Sequence, residues 1–143
     1  MVKRYVNADG SSNLKSLAEF RRWQKERRSK KKDLSFYVPR VEPDWALLSG
    51  NREKPTMSFI GHSTFLVQLG GLNIVTDPVW AARMGFAPRL TPPGIPIKAL
   101  PPIDVVVLSH AHYDHLHLSS LRRLPGDFVS LVPEGLALWF RRK

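Results

Sequence analysis

The apolar positions in the middle of the chain fall into short runs rather than helical stripes. Residues 56–60, 64–69 and 72–76 are each rich in β-branched and aromatic side chains, the composition that suits a pleated, half-buried surface. Gly70-Gly71 separates the last two runs and supplies the positive φ angles of a two-residue hairpin turn, so a β-hairpin is predicted there. Ile103-Asp104-Val105-Val106-Val107-Leu108-Ser109 is a continuous apolar run of the kind buried on both faces of a covered sheet. Beyond it the pattern predicts a short helix from Ser119 to about residue 124, a strand over 128–132 and a last helix over 134–142. Ahead of the strands, Leu14, Leu17, Ala18, Phe20 and Gln24 mark a weakly amphipathic helix over 13–28, with Ser12 or Asn13 as its cap. The order is that of a mixed α/β domain with no internal repeat.

Between the strands the chain is punctuated by proline. Residues 33–55 hold Pro39, Pro43 and Pro55 around Trp45 and read as an irregular lead-in. Seven of the twelve prolines lie between Pro78 and Pro102, which predicts a long ordered loop of the sort that borders binding sites. The domain reading is a basic helical arm with its lead-in over 1–55, then the strand-rich part over 56–143.

Composition narrows the chemistry. A chain of 143 residues with 43% hydrophobic side chains can bury one core. It lacks both a run of about 18–20 apolar residues and the apolar segment of a secretory signal at its N-terminus, so the expected location is the cytoplasm. With no cysteine, a metal has only imidazole and carboxylate to bind. The net charge of +10 suggests nucleic acid until it is mapped. Residues 1–32 carry 11 Lys and Arg against three acidic groups, residues 33–140 carry 8 against 9, and Arg141, Arg142 and Lys143 end the chain. The globular part is near neutral, which argues against a nucleic-acid face and leaves peripheral contact with an anionic membrane through the basic arm as the open alternative.

Four of the five histidines lie in Ser109-His110-Ala111-His112-Tyr113-Asp114-His115-Leu116-His117, directly after the buried strand. Continued extension puts His110, His112 and Asp114 on one side, and a turn at Asp114 brings His115 to the same place. Neutral imidazoles beside a carboxylate suit zinc, with iron and manganese as alternatives.

This HxHxDH run resembles the signature of the metallo-β-lactamase superfamily. Ile60-Gly61-His62-Ser63-Thr64, the hairpin ending in Thr76-Asp77-Pro78, Leu100-Pro101-Pro102-Ile103-Asp104 and Val132-Pro133-Glu134-Gly135-Leu136 are similar to the branch containing N-acylphosphatidylethanolamine phospholipase D and its bacterial relatives. The resemblance implies an αββα sandwich and two zinc ions. His110 and His112 would bind one ion, Asp114 and His115 the other. Asp114 would also orient the attacking hydroxide and take its proton. Asp77 would orient a ligand, and Ser109 and His117 would flank the cluster without binding metal. For His62, hydrogen bonding is expected rather than ligation. The implied reaction is metal-assisted hydrolysis of a phosphodiester, a phospholipid of the N-acylphosphatidylethanolamine type in this branch, with lactonase and nuclease relatives as alternatives. Trp80, Arg83, Phe86 and Arg89 are candidates for lining an entrance.

The ligand count is short. A catalytic zinc generally takes three protein ligands, and the motif offers two per ion. After His117 only Asp127 and Glu134 remain, and no histidine. The expectation is the first βα half of the sandwich alone, inactive by itself, or else a short metal-binding chain that covers its open sheet by homodimerising.

Overall fold

A computed structural model describes residues 9, 15–31, 33, 35, 38–85 and 87–141. They form two compact units, divided between Tyr37 and Val38. In the first, helix α1 (Leu17–Ser29) begins at Ser16, not at Ser12 or Asn13, which lie outside the described residues. The reason is a reciprocal cap: the Glu19 N–H donates to Ser16 Oγ at 3.2 Å and the Ser16 N–H donates to Glu19 Oε2 at 2.8 Å. Phe20 and Trp23 stack at 5.9 Å on the surface of α1, and the Arg27 guanidinium lies 5.1 Å from the Trp23 ring centre. Among the described residues no helix is long and apolar enough to cross a membrane.

The second unit opens with α2 (Trp45–Gly50), where the sequence reading expected irregular chain. Asp44 caps it, accepting the Leu47 N–H at 2.9 Å. Leu48 is buried, and Gln68 Nε2 donates to the Leu48 carbonyl at 3.0 Å. Tertiary contact thus fixes a helix too short to stand alone.

Strands β1 (Thr56–Gly61), β2 (Thr64–Leu69), β3 (Leu72–Thr76), β6 (Val105–Val107) and β7 (Val129–Leu131) form one sheet in the order β1-β2-β3-β6-β7. The first three are antiparallel; β6 and β7 run parallel to β3. The predicted hairpin is present, with Gly70 and Gly71 at φ of 59° and 79°. Between β3 and β6, the proline-rich segment carries a small ribbon, β4 (Arg83–Met84) with β5 (Ala87–Pro88), and a 3₁₀ turn over Ile97–Ala99. Helices α3 (Leu118–Leu121) and α4 (Leu136–Phe140) flank β7 in sequence.

Period-two alternation divides the sheet into two faces of opposite fate. Leu66, Val75 and Val106 point into a core completed by Leu48, Ile95, Ile97, Leu100, Ile103, Leu121 and Leu124; burying each such side chain contributes about 1.5–3 kcal/mol. The proline-rich segment is therefore the lid of the core. Trp80 Nε1 donates to the Ile95 carbonyl at 2.8 Å, the Gly94 N–H to the Ile60 carbonyl at 2.8 Å, and Arg89 reaches the carbonyls of Val79 and Ala81. Trp80 and Arg89 hold this lid together. Arg83 is exposed, and Phe86 lies outside the described residues.

The other face is also apolar. Registers align Met57, Val67, Ile74, Val105 and Val129 in one row, with Phe59, Phe65, Val107 and Leu131 beside it. Met57, Phe59, Val129 and Leu131 are 71, 58, 64 and 56% exposed, so no described residue of the second unit covers the ends of this face.

Candidate metal centre

The site lies where β3 and β6 end side by side. Parallel pairing brings Thr76 opposite Val107, and the chain leaving each strand supplies polar groups that face one another. Asp77 follows β3 with its N–H donating to the Val107 carbonyl at 2.9 Å. Its φ is 36°, a left-handed value for a residue that also precedes a proline. The carboxylate is buried and fully used: Oδ1 accepts the Ser109 N–H at 2.8 Å, and Oδ2 meets Ser109 Oγ at 2.7 Å and His115 Nδ1 at 2.8 Å. Burial resists ionisation of this carboxyl, but hydrogen bonds from His115 and from the Ser109 N–H and hydroxyl outweigh it and hold its pKa below the ordinary value.

This network assigns the histidine tautomers. An ionised Asp77 accepts from His115 Nδ1–H, leaving the His115 Nε2 lone pair free. The Ser109 hydroxyl donates to Asp77, so its oxygen accepts from His110 Nδ1, 2.9 Å away, and His110 Nε2 carries a lone pair that faces His112 Nδ1 at 3.0 Å. The His110 pKa is lowered, first by desolvation and then by the neighbouring His115 and His112, which favours the neutral ring that a metal requires.

The HxHxDH run turns at Asp114, where the sequence places the turn. β6 stops at Val107, and a turn over 113–115 folds back, with the His115 and Leu116 N–H groups donating to the His112 carbonyl at 2.9 and 2.7 Å. The turn carries His115 beside His110, with ring centres 4.0 Å apart. His110 Nε2 and His112 Nδ1 are 3.0 Å apart. Asp114 Oδ2 is 3.7 Å from His115 Nε2 and 3.2 Å from His62 Nε2. Ligand atoms about 2.0–2.2 Å from a tetrahedral ion are separated by roughly 3.3–3.6 Å, and these donor pairs lie within about 0.3 Å of such coordination edges. The chemistry of the donor set fits a divalent cation: imidazole lone pairs and a carboxylate, with the rings of His110 and His115 each backed by an oxygen.

His62 sits at the turn between β1 and β2 and brings its ring within 5.1 Å of His115. One ligand atom each from His62, Asp114 and His115 lies within 4.8 Å of the other two, and the 3.2 Å contact of His62 with Asp114 Oδ2 fits the hydrogen-bonding role expected for it. His117 points elsewhere. It is the cap of α3, the position expected for Ser119, and its Nδ1 accepts the Ser120 N–H at 3.2 Å and meets Ser120 Oγ at 2.8 Å. Desolvation first, and Arg123 second, lower its pKa, in keeping with a neutral acceptor.

Comparison with known proteins places the chain in a family. The family described as the beta-lactamase superfamily domain matches residues 72–143. A protein of Mycobacterium tuberculosis is 36% identical over 111 residues, covering 73% of this chain and 29% of that protein. The N-acyl-phosphatidylethanolamine-hydrolyzing phospholipase D 1 of Caenorhabditis elegans is 38% identical over 94 residues, 60% of this chain and 26% of the enzyme. A metal-dependent hydrolase of an Anaeromyxobacter strain is 36% identical over 82 residues, 57% of this chain and 24% of its own length. Among solved structures, the isothiocyanate hydrolase from Delia radicum gut bacteria is similar with a TM-score of 0.50 and 25% identity, over 60% of this chain and 36% of that one. The chain thus spans less than a third of the length of these curated relatives.

Proposed function

Since the chain belongs to the beta-lactamase superfamily, we propose that it carries the histidine-rich part of a divalent-metal-dependent hydrolase, with His110 and His112 as donors to one zinc ion and Asp114 and His115 to a second. The observation that supports this best is the relay from Asp77 through Ser109 and His115, which puts the lone pair of both His110 and His115 on Nε2, the His110 one converging with His112 Nδ1 at 3.0 Å. When bound, zinc lowers the pKa of water toward neutrality and polarises the bond to be cleaved. Asp114 Oδ2, in contact with two rings, is the group to hold the attacking water and accept its proton. Asp77 and Ser109 hold the rings in place, and His117 acts through α3 alone. The substrate class we propose is a phosphodiester of the N-acylphosphatidylethanolamine kind, on the likeness to the nematode phospholipase.

The described residues offer too few donors to give two ions three protein ligands each, so turnover requires donors beyond them. A chimera tests both points. Residues 57–140 replace the matching segment of the nematode enzyme, folding is checked by circular dichroism, and lipid hydrolysis is assayed with added Zn²⁺. The folded chimera is expected to hydrolyse the lipid and its H112A variant not to, while the 143-residue chain alone binds metal without turnover. A folded, inactive chimera, or phosphodiester turnover by the chain alone, counts against the proposal.

A second reading, self-association of this chain, is favoured by one observation: the exposed apolar row from Met57 and Phe59 to Val129 and Leu131.

A further inference from the structure

We infer that His62 is itself a metal ligand, the third protein donor, with Asp114 and His115, to one divalent cation. The inference rests on the metal-site reading above and goes beyond it by naming a donor from a different part of the sheet, 48 residues before the motif begins.

Three observations carry it. The first is convergence. His62 Nε2 is 3.2 Å from Asp114 Oδ2, and His115 Nε2 is 3.7 Å from the same oxygen, distances on either side of the roughly 3.3–3.6 Å edge of a tetrahedral zinc site. The second is the free lone pair facing them. His115 Nδ1 is engaged by Asp77, so its Nε2 is available on the side where His62 and Asp114 lie, and the three donors form a triangle with all sides under 4.8 Å. The third is backbone strain. Gly61 pairs with Thr64 across the β1–β2 turn, leaving His62 and Ser63 as a two-residue connection, and His62 adopts a φ of 54°. A positive φ at the first central position of such a turn is ordinarily a glycine conformation. Histidine there accepts unfavourable backbone geometry, and what its side chain gains is this position against Asp114. Strained residues of this kind gather at functional sites, and Asp77, among the described residues the other non-glycine with positive φ, belongs to the same cluster. His62 is 41% exposed at the side chain and Asp114 31%, so an ion reaches them from solvent.

The alternative is that His62 only hydrogen-bonds to Asp114. Affinity loss alone does not separate the two, because orienting partners also cost about 10–100-fold in metal affinity. A direct bond does. The ¹⁵N-labelled 143-residue chain is loaded with ¹¹³Cd²⁺ and the imidazole nitrogens are observed by proton–nitrogen correlation, with each histidine assigned by substitution. His62→Gly serves as the second variant, since glycine suits the turn and preserves the fold. The expected result is cadmium splitting of the Nε2 signals of both His62 and His115, and at least tenfold weaker cadmium binding by folded His62→Gly. Splitting at His115 without splitting at His62 overturns this inference and leaves the metal-site reading standing. Absence of cadmium splitting at every histidine overturns both.

Discussion

Replacing Asp77 with asparagine keeps size and shape and changes one oxygen to an amide nitrogen. The Ser109 N–H can still donate to the remaining oxygen, but the NH₂ group now faces the Ser109 hydroxyl and His115 Nδ1, the two partners that Oδ2 meets at 2.7 and 2.8 Å. To avoid donor facing donor, His115 must accept at Nδ1 and carry its proton on Nε2, the atom required for metal. Two charge-assisted hydrogen bonds become neutral ones, each about half as strong, so the expected loss of stability at pH 7 is about 2–3 kcal/mol. The loss in zinc affinity is about 10–100-fold. The pH dependence follows from the sign of the shift. Asp77 has a lowered pKa in the folded protein, so its contribution is complete above the unfolded aspartate value of about 3.9 and disappears as pH falls through the lower folded value. Urea unfolding of metal-free wild type and D77N, followed by tryptophan fluorescence, should give a gap that is constant from pH 7 to 5 and closes below about pH 3.9. Equal stability at pH 7, a gap that widens in acid, or unchanged zinc affinity would refute the reasoning.

Three further outcomes are expected. Gly126→Ala should unfold at markedly lower urea concentration, by at least about 2 kcal/mol, because Gly126 has a φ of 93° and an added Cβ would lie 2.8 Å from both Ile103 N and O; Gly50→Ala, at an open helical position, should stabilise by about 0.5–1 kcal/mol, and equal effects would contradict the packing described. The apolar sheet face, five strands or about 24 Å wide, should drive concentration-dependent association in sedimentation velocity, weakened in a Phe59→Lys, Leu131→Lys double variant; a wild-type monomer at 100 μM would count against it. The α1 surface, with Phe20 and Trp23 about half exposed beside Arg27 and Arg28, should bind vesicles containing phosphatidylserine in a salt-sensitive way, with a blue shift in tryptophan emission that Trp23→Ser reduces; no binding at low salt would remove the membrane reading.

Much of the architecture could be read from local pattern. Gly70-Gly71 between two alternating runs dictates the hairpin, and the apolar run before His110 dictates an interior strand, because both signals act within a few residues; of its two faces only that of Val106 is fully buried, Val105 and Val107 being half-buried on the other. What escaped the sequence depends on partners far along the chain. Helix α2 exists because Leu48 and Gln68 meet. The caps moved to Ser16 and His117 because of hydrogen bonds that spacing alone does not rank. At the site, the histidine run was conspicuous, yet the relay that fixes its tautomers joins residue 77 to residues 109 and 115 through parallel strand pairing. His62 reaches Asp114 only through an unusual turn conformation, for which its neighbouring glycine was the one local hint.

The most direct test of the metal centre is zinc affinity, measured by competition with a chromophoric chelator in the wild-type chain and in two variants. The account predicts specific zinc binding by the wild type, a loss of at least 100-fold in His110→Ala combined with His115→Ala, and affinity within threefold of wild type in His117→Ala, whose ring serves α3 and not the ion. No zinc binding by the folded wild-type chain, or a His117→Ala loss as large as that of the double variant, would contradict it.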